Sequence, residues 1–179
     1  MDPVLVWSGR LALAVLFGRA AVHKLRDRER FDAVLADYHV LPRAAVKAAA
    51  RGLVAAELAT AAALLLPGAG AAGALGAAGL LAVYSAAIGV NLARGRREID
   101  CGCGGPAERP LGPGLLARNA LLMGIAVAAA PGPAPRDFVW IDVLTVALAL
   151  GTVVLLWHAA GRLATFPFPW LPLRRRMHP

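Results

Sequence analysis

Residues 71–93 read AAGALGAAGLLAVYSAAIGVNLA, without one charged side chain. A helix of that length rises roughly 35 Å at ~1.5 Å per residue, enough to cross the ~30 Å hydrocarbon core of a bilayer. Further apolar stretches lie on both sides, at about 4–22, 45–66, 115–130 and 138–160. The pattern predicts an all-α integral membrane protein: a four-helix transmembrane bundle with a fifth, C-terminal transmembrane helix. Residues 1–160 are expected to form one transmembrane domain, followed by a Pro/Arg-rich tail over 161–179. The first stretch opens with Asp2 rather than a basic segment and is too long for a cleaved signal, so it is expected to be retained.

The bulk composition agrees. Apolar residues make up 59% and charged residues 17%, against about 25% charged in an average soluble protein. Lys and Arg number 19 against 11 Asp and Glu, a net charge of +8. A soluble nucleic-acid binder would account for the sign of that charge but not for the apolar excess, so no nucleic-acid partner is expected. Two cysteines rule out a disulfide-stapled mini-protein.

In a membrane protein the charges report orientation, because loops rich in Lys and Arg stay in the cytoplasm. One basic loop holds Lys24, Arg26, Arg28, Arg30 and Arg43, another Arg94, Arg96, Arg97 and Arg109, and the tail Arg174, Arg175 and Arg176. The connection from Pro67 to Gly70 has no charge. This places the chain in the inner (plasma) membrane with its N-terminus outside and the basic loops inside. Between the first two spans, Phe31, Val34, Leu35 and Tyr38 recur at three- and four-residue steps, the stripe of an amphipathic helix lying in the interface and ended by Pro42. Gly70, Gly73, Gly76 and Gly79 offer the third span a face for close helix approach. Trp140 and Asp142 read as interface anchors of the last span.

Polar residues inside spans are costly and mark partners or function. Counted along the helices from the basic side, Arg19, Arg51, Asn91, Arg118 and Asn119 share one shallow layer. Arg10 and Glu57 lie deeper and could pair across the first two spans. For Glu57 an ion pair with Arg10 or Arg51 and a proton-relay role are both open.

Both cysteines fall together in Asp100-Cys101-Gly102-Cys103-Gly104-Gly105, inside a basic loop. A Cys-x-Cys pair between glycines can close a strained, easily reduced disulfide, which suits exchange rather than stapling. Neighbouring arginines favour the attacking thiolate, and Asp100 opposes it. Zinc is not expected, because His23, His39, His158 and His178 are scattered rather than spaced to join the pair. A soft ion such as Cu(I) could be passed along by two thiolates.

These residues together resemble the MauE branch of the DoxX-like membrane proteins. The features are Lys24-Leu25, Phe31, Tyr38, Leu41-Pro42, Glu57, the run Asn91-Leu92-Ala93-Arg94-Gly95, then Asp100-Cys101-Gly102-Cys103-Gly104, then Arg118-Asn119. The resemblance implies a redox-associated helical bundle that handles disulfides in a client or with a thioredoxin-like partner. A looser likeness to DsbB and vitamin K epoxide reductase suggests a quinone as electron partner. On this reading Cys101 and Cys103 cycle between dithiol and disulfide, while Arg118, Asn119, Asn91, Glu57 and Arg19 support them. The rival expectations are a carrier of a soft metal ion or small hydrophobic molecule, and a scaffold for a thioredoxin-like protein. Disulfide formation belongs outside the cytoplasm, whereas the charge rule puts this loop inside, so the sequence leaves the direction of electron flow open.

Overall fold

The computed structural model describes residues 2–99, 111–134 and 139–165. Six helices account for most of them: α1 (Pro3–Arg26), α2 (Arg28–Asp37), α3 (Arg43–Leu65), α4 (Gly70–Ala93), α5 (Pro113–Ala129) and α6 (Trp140–Thr165). The chain divides into two compact units, Met1–Phe138 and Val139–Pro179. Among the described residues α1, α3 and α4 are long and apolar enough to cross a membrane, and α5 is apolar over 17 residues. Each of the five stretches predicted as spans lies largely on one of these helices.

Local chemistry sets the helix ends. The Asp2 carboxylate accepts from the Val4 amide at 2.8 Å, and Pro3 opens α1, where its missing N–H costs nothing. Asp27 closes α1 and caps α2, accepting from the Arg30 amide at 3.1 Å. Leu66, extended before Pro67, stops α3. The end of α4 is a Schellman turn: Gly95 takes φ +74, its amide reaches the Leu92 carbonyl at 3.0 Å, and the Arg96 amide reaches the Asn91 carbonyl at 2.9 Å. The run Asn91 to Gly95 is thus a helix terminator as well as a likeness to a family.

In the first unit α1 packs on α3, α3 on α4, α4 on α5 and α5 on α1, a closed four-helix bundle. Leu13 and Phe17 meet Leu64, while Ala21 meets Ala50 and Val54, so α1 and α3 run antiparallel. The central layer adds Ala74, Ala77, Leu80, Leu81 and Ala126. A Cβ at Gly73 would lie 2.5 Å from the Leu64 backbone nitrogen, and one at Gly76 2.9 Å from the Thr60 hydroxyl. These two glycines bring α4 against α3. A Cβ at Gly79 would meet nothing beyond its own helix within 4 Å, so Gly79 takes no part in that approach.

The short helix α2 folds its stripe onto one end of the bundle. Phe31 and Leu35 cover Ala21, Ala50 and Val54, and Tyr38 and Val34 pack with Ile88 and Leu111. In the second unit Asp142 accepts from the Val139 amide at 3.0 Å, capping the first turn of α6, and Trp140 is exposed. Beside its apolar core the first unit buries a few charged and polar side chains, while large apolar ones stay exposed. Leu75 and Leu121 remain 67% and 68% exposed, whereas Glu57 and Asn91 are 0% exposed and Lys24 4%. Water would not sustain that pattern, and a bilayer does.

Candidate functional site

On α1 the buried stripe runs Val6, Arg10, Leu13, Phe17, Ala21, Lys24; on α3 it runs Val46, Ala50, Val54, Glu57, Thr60, Leu64. Each seam therefore carries charge into the bundle. Helical side chains lean toward the N-terminus of their own helix. For Lys24, near the end of α1, that direction is inward; for Glu57, on the antiparallel α3, it is back toward the α2 end. The two converge, and Lys24 Nζ forms a buried ion pair with Glu57 Oε1. The Tyr84 hydroxyl, from α4, donates to the same oxygen at 2.5 Å. Lys24 Nζ also lies over two rings, 5.1 Å from the centroid of Phe31 and 5.3 Å from that of Tyr84, so aromatic faces replace part of its lost hydration. The other carboxylate oxygen, Glu57 Oε2, is buried with no hydrogen-bond partner among the described residues.

A second polar layer joins α4 to α5. Asn119 Nδ2 donates to the Ser85 hydroxyl at 3.3 Å, and Arg118 donates to Asn119 Oδ1 at 3.3 Å. Ser85 in turn donates to the Leu81 carbonyl at 2.7 Å. Asn91 turns its amide nitrogen to the Ala87 carbonyl at 3.0 Å and leaves Oδ1 buried without a partner among the described residues.

At the α2 end, the Leu111 amide donates to the Arg97 carbonyl at 2.9 Å, clamping the two ends of the connection between α4 and α5. Leu111 is buried against Tyr38 and Ile88. Arg94 donates to the His39 carbonyl at 3.2 Å, and Arg96 lies 3.0 Å from His39 Nδ1. These two contacts tie the turn after α2, where His39 adopts φ +48, to the basic segment after α4. Cys101, Cys103, Asp100 and Arg109 lie outside the described residues, as does Trp170 in the tail.

The expected shallow layer is only partly assembled. Asn91, Asn119 and Arg118 gather on α4 and α5, but Arg19 and Arg51 are exposed on the outer faces of α1 and α3. Depth along a helix was a sufficient guide for the first three and ignored the direction in which the other two point. The expected Arg10–Glu57 pair is replaced by Lys24–Glu57. Arg10 instead donates to the Ala129 carbonyl at 3.2 Å, at the C-terminal end of α5 where a cation is favoured, and lies against Gly70. Lys24 and Tyr84 were not among the expected site residues. The signal for Lys24 was its place on the buried stripe of α1.

Comparison with known proteins gives one consistent result. The family described as methylamine utilisation protein MauE matches residues 2–132. The methylamine utilization protein MauE of Paracoccus versutus is 42% identical over 169 residues, covering 93% of this chain and 90% of that protein. Its namesakes from Paracoccus denitrificans and Methylophilus methylotrophus are 36% and 34% identical, each covering 89% of its own length and 91% and 93% of this chain. No solved structure matches.

Proposed function

The chain belongs to the MauE family, and from that premise we propose that it is a membrane thiol-disulfide redox protein serving methylamine utilisation. In this reading Cys101 and Cys103 exchange disulfides with a thioredoxin-like partner or a disulfide-containing client. The helices α1, α3, α4 and α5 cross the inner membrane, α6 adds a fifth span, and the basic end faces the cytoplasm. A quinone is the candidate terminal electron partner.

The observation that carries the reading is where the cysteine pair falls in the sequence. Both thiols of the chain fall in sequence between Arg97 and Leu111, whose backbones are joined by a hydrogen bond in the segment that links α4 to α5. That clamp keeps the two described flanks together at the end of the bundle that carries Arg94 and Arg96. Arg96, Arg97 and Arg109, close to the pair in sequence, would favour thiolate, the attacking species, and Asp100 would oppose it. Asn91 and the Asn119–Arg118 pair are the polar groups that support this end, while the exposed Arg19 has the simpler role of reaching the headgroups.

The chemistry is ordinary exchange. A thiolate of Cys101 or Cys103 attacks one sulfur of the partner's disulfide, giving a mixed disulfide and a partner thiolate. The second cysteine then resolves it, leaving the Cys101–Cys103 disulfide and a partner dithiol; the reverse sequence oxidises the partner. Replacing either cysteine by serine is expected to abolish partner oxidation or reduction while leaving the bundle folded. Full activity in both Cys101→Ser and Cys103→Ser would contradict the reading.

A further inference from the structure

We propose that Arg10 and the first turn of α4 form a binding site for a phosphate group, at the end of the bundle away from the segment that links α4 to α5. The site stands independently of the thiol-disulfide reading.

Arg10 lies on the buried stripe of α1 and is 7% exposed. A buried cation is costly unless it is paired and hydrogen-bonded. Lys24, the other buried cation among the described residues, has Glu57 for that purpose. Arg10 has no such carboxylate: no described Asp or Glu is ion-paired to it. Its Nε donates to the Ala129 carbonyl at 3.2 Å, and its guanidinium carbon lies 5.8 Å from the centroid of the Trp7 ring. Nη1 and Nη2 have no acceptor among the described residues. The fork of the guanidinium, the part that grips an oxyanion, is therefore unused.

That fork is directed at the start of α4. A Cβ on Gly70 would fall 2.2 Å from Nη1 and 2.3 Å from Cζ, so the guanidinium rests on the first residue of the helix and only glycine admits it there. The first turn of α4 also lacks partners of its own. Its N-cap, Ala69, supplies no side-chain hydrogen bond. The Ala69 amide reaches the Leu66 carbonyl and the Gly73 amide the Ala69 carbonyl, but the amides of Gly70, Ala71 and Ala72 have no acceptor among the described residues.

An open helix N-terminus carries a partial positive charge, which repels a cation set against it. An anion between the two turns that repulsion into attraction on both sides. Helix N-termini present N–H donors to phosphate, and a guanidinium fork matches two of its oxygens. A tetrahedral oxyanion has oxygens enough to serve the fork and the amides together. Both α1 and α4 are long and apolar enough to cross a membrane, and the ends of such helices lie at headgroup depth, where phosphate is the abundant anion. A lipid headgroup and a free phosphate offer the same chemistry to the site.

The test uses the full-length protein in dodecyl maltoside, a detergent without phosphate, with bound molecules counted by native mass spectrometry. The probes are dioleoyl phosphatidylglycerol, dioleoylglycerol with the same chains and no phosphate, and inorganic phosphate. Wild type is expected to hold phosphatidylglycerol about tenfold more tightly than dioleoylglycerol, through charge-assisted hydrogen bonds. Arg10→Gln should lose that preference, and Arg10→Lys should keep part of it, since an ammonium has the charge but not the fork. Gly70→Ala keeps the charge and pushes the guanidinium off α4, so it should lose the preference while retaining wild-type helical signal. Arg19→Gln, at an exposed arginine of the same helix, should bind as wild type does. Competition by inorganic phosphate would support the site with a free anion as an equal source, and failure to compete would support it with the headgroup as the source. Equal affinity of wild type for the two lipids without binding of inorganic phosphate would overturn the proposal. So would a preference that survives in both Arg10→Gln and Gly70→Ala.

Discussion

At Glu57 two large and opposed terms meet. Removing a carboxylate and an ammonium from water costs several kcal/mol per ion, and the pair recovers this only with good geometry and further hydrogen bonds. Here Tyr84 and the two rings around Lys24 supply those further contacts. Truncating one partner should therefore cost more than replacing both. Glu57→Ala is expected to lose about 3–5 kcal/mol of stability, the range for an uncompensated buried charge, whereas Lys24→Met/Glu57→Leu should lie near wild type. Denaturant titration of helical signal in mixed micelles distinguishes the two. Equal losses in both would mean that the charges are not paired in the folded bundle. The elements of this site were partly legible in the sequence. Glu57 stood out as a carboxylate inside an apolar run. Lys24 did not, because its position near the end of a span suggested a loop charge, although its spacing from Phe17 and Ala21 placed it on the buried stripe. The pairing itself was not legible, since it depends on the opposite lean of side chains on antiparallel helices.

At the scale of elements, the glycines of α4 differ in ways that their regular spacing conceals. Gly73 lies against the α3 backbone and Gly79 faces open space. Gly73→Leu is expected to destabilise the bundle by about 1–3 kcal/mol or to separate α3 from α4, while Gly79→Leu should be neutral; thermal unfolding of the two purified variants compares them. A spacing of three could announce a small-residue face, but not which members use it. Gly95 is a different case. Its positive φ is required by the Schellman turn that sets Asn91 and Arg96, and Gly95→Ala should cost about 1 kcal/mol through the left-handed conformation. The amphipathic stripe of α2 was readable from its periodicity, whereas its seat over Ala21, Ala50 and Val54 depended on how tightly Asp27 turns the chain.

Across the whole molecule, exposed apolar side chains around an apolar core that also holds a few charges make sense of a chain with 59% apolar residues and a net charge of +8. The sequence could locate the helices because the bilayer sets their length. It could not separate arginines that point outward, such as Arg19 and Arg51, from asparagines that point inward, because depth carries no information about direction. In the proposed orientation the basic end faces the cytoplasm, and a membrane-impermeant maleimide should label Cys103 in inverted vesicles and not in intact cells. In the proposed mechanism Cys101 and Cys103 act by covalent exchange with a partner's disulfide. Its most direct test is to trap that covalent intermediate in cells growing on methylamine, using Cys101→Ser and Cys103→Ser with free thiols blocked by acid and alkylation. At least one single variant is expected to yield a mixed disulfide of defined mass that dithiothreitol dissolves, and the double variant none. No adduct in either single variant, together with full growth of the double variant, would contradict the claim.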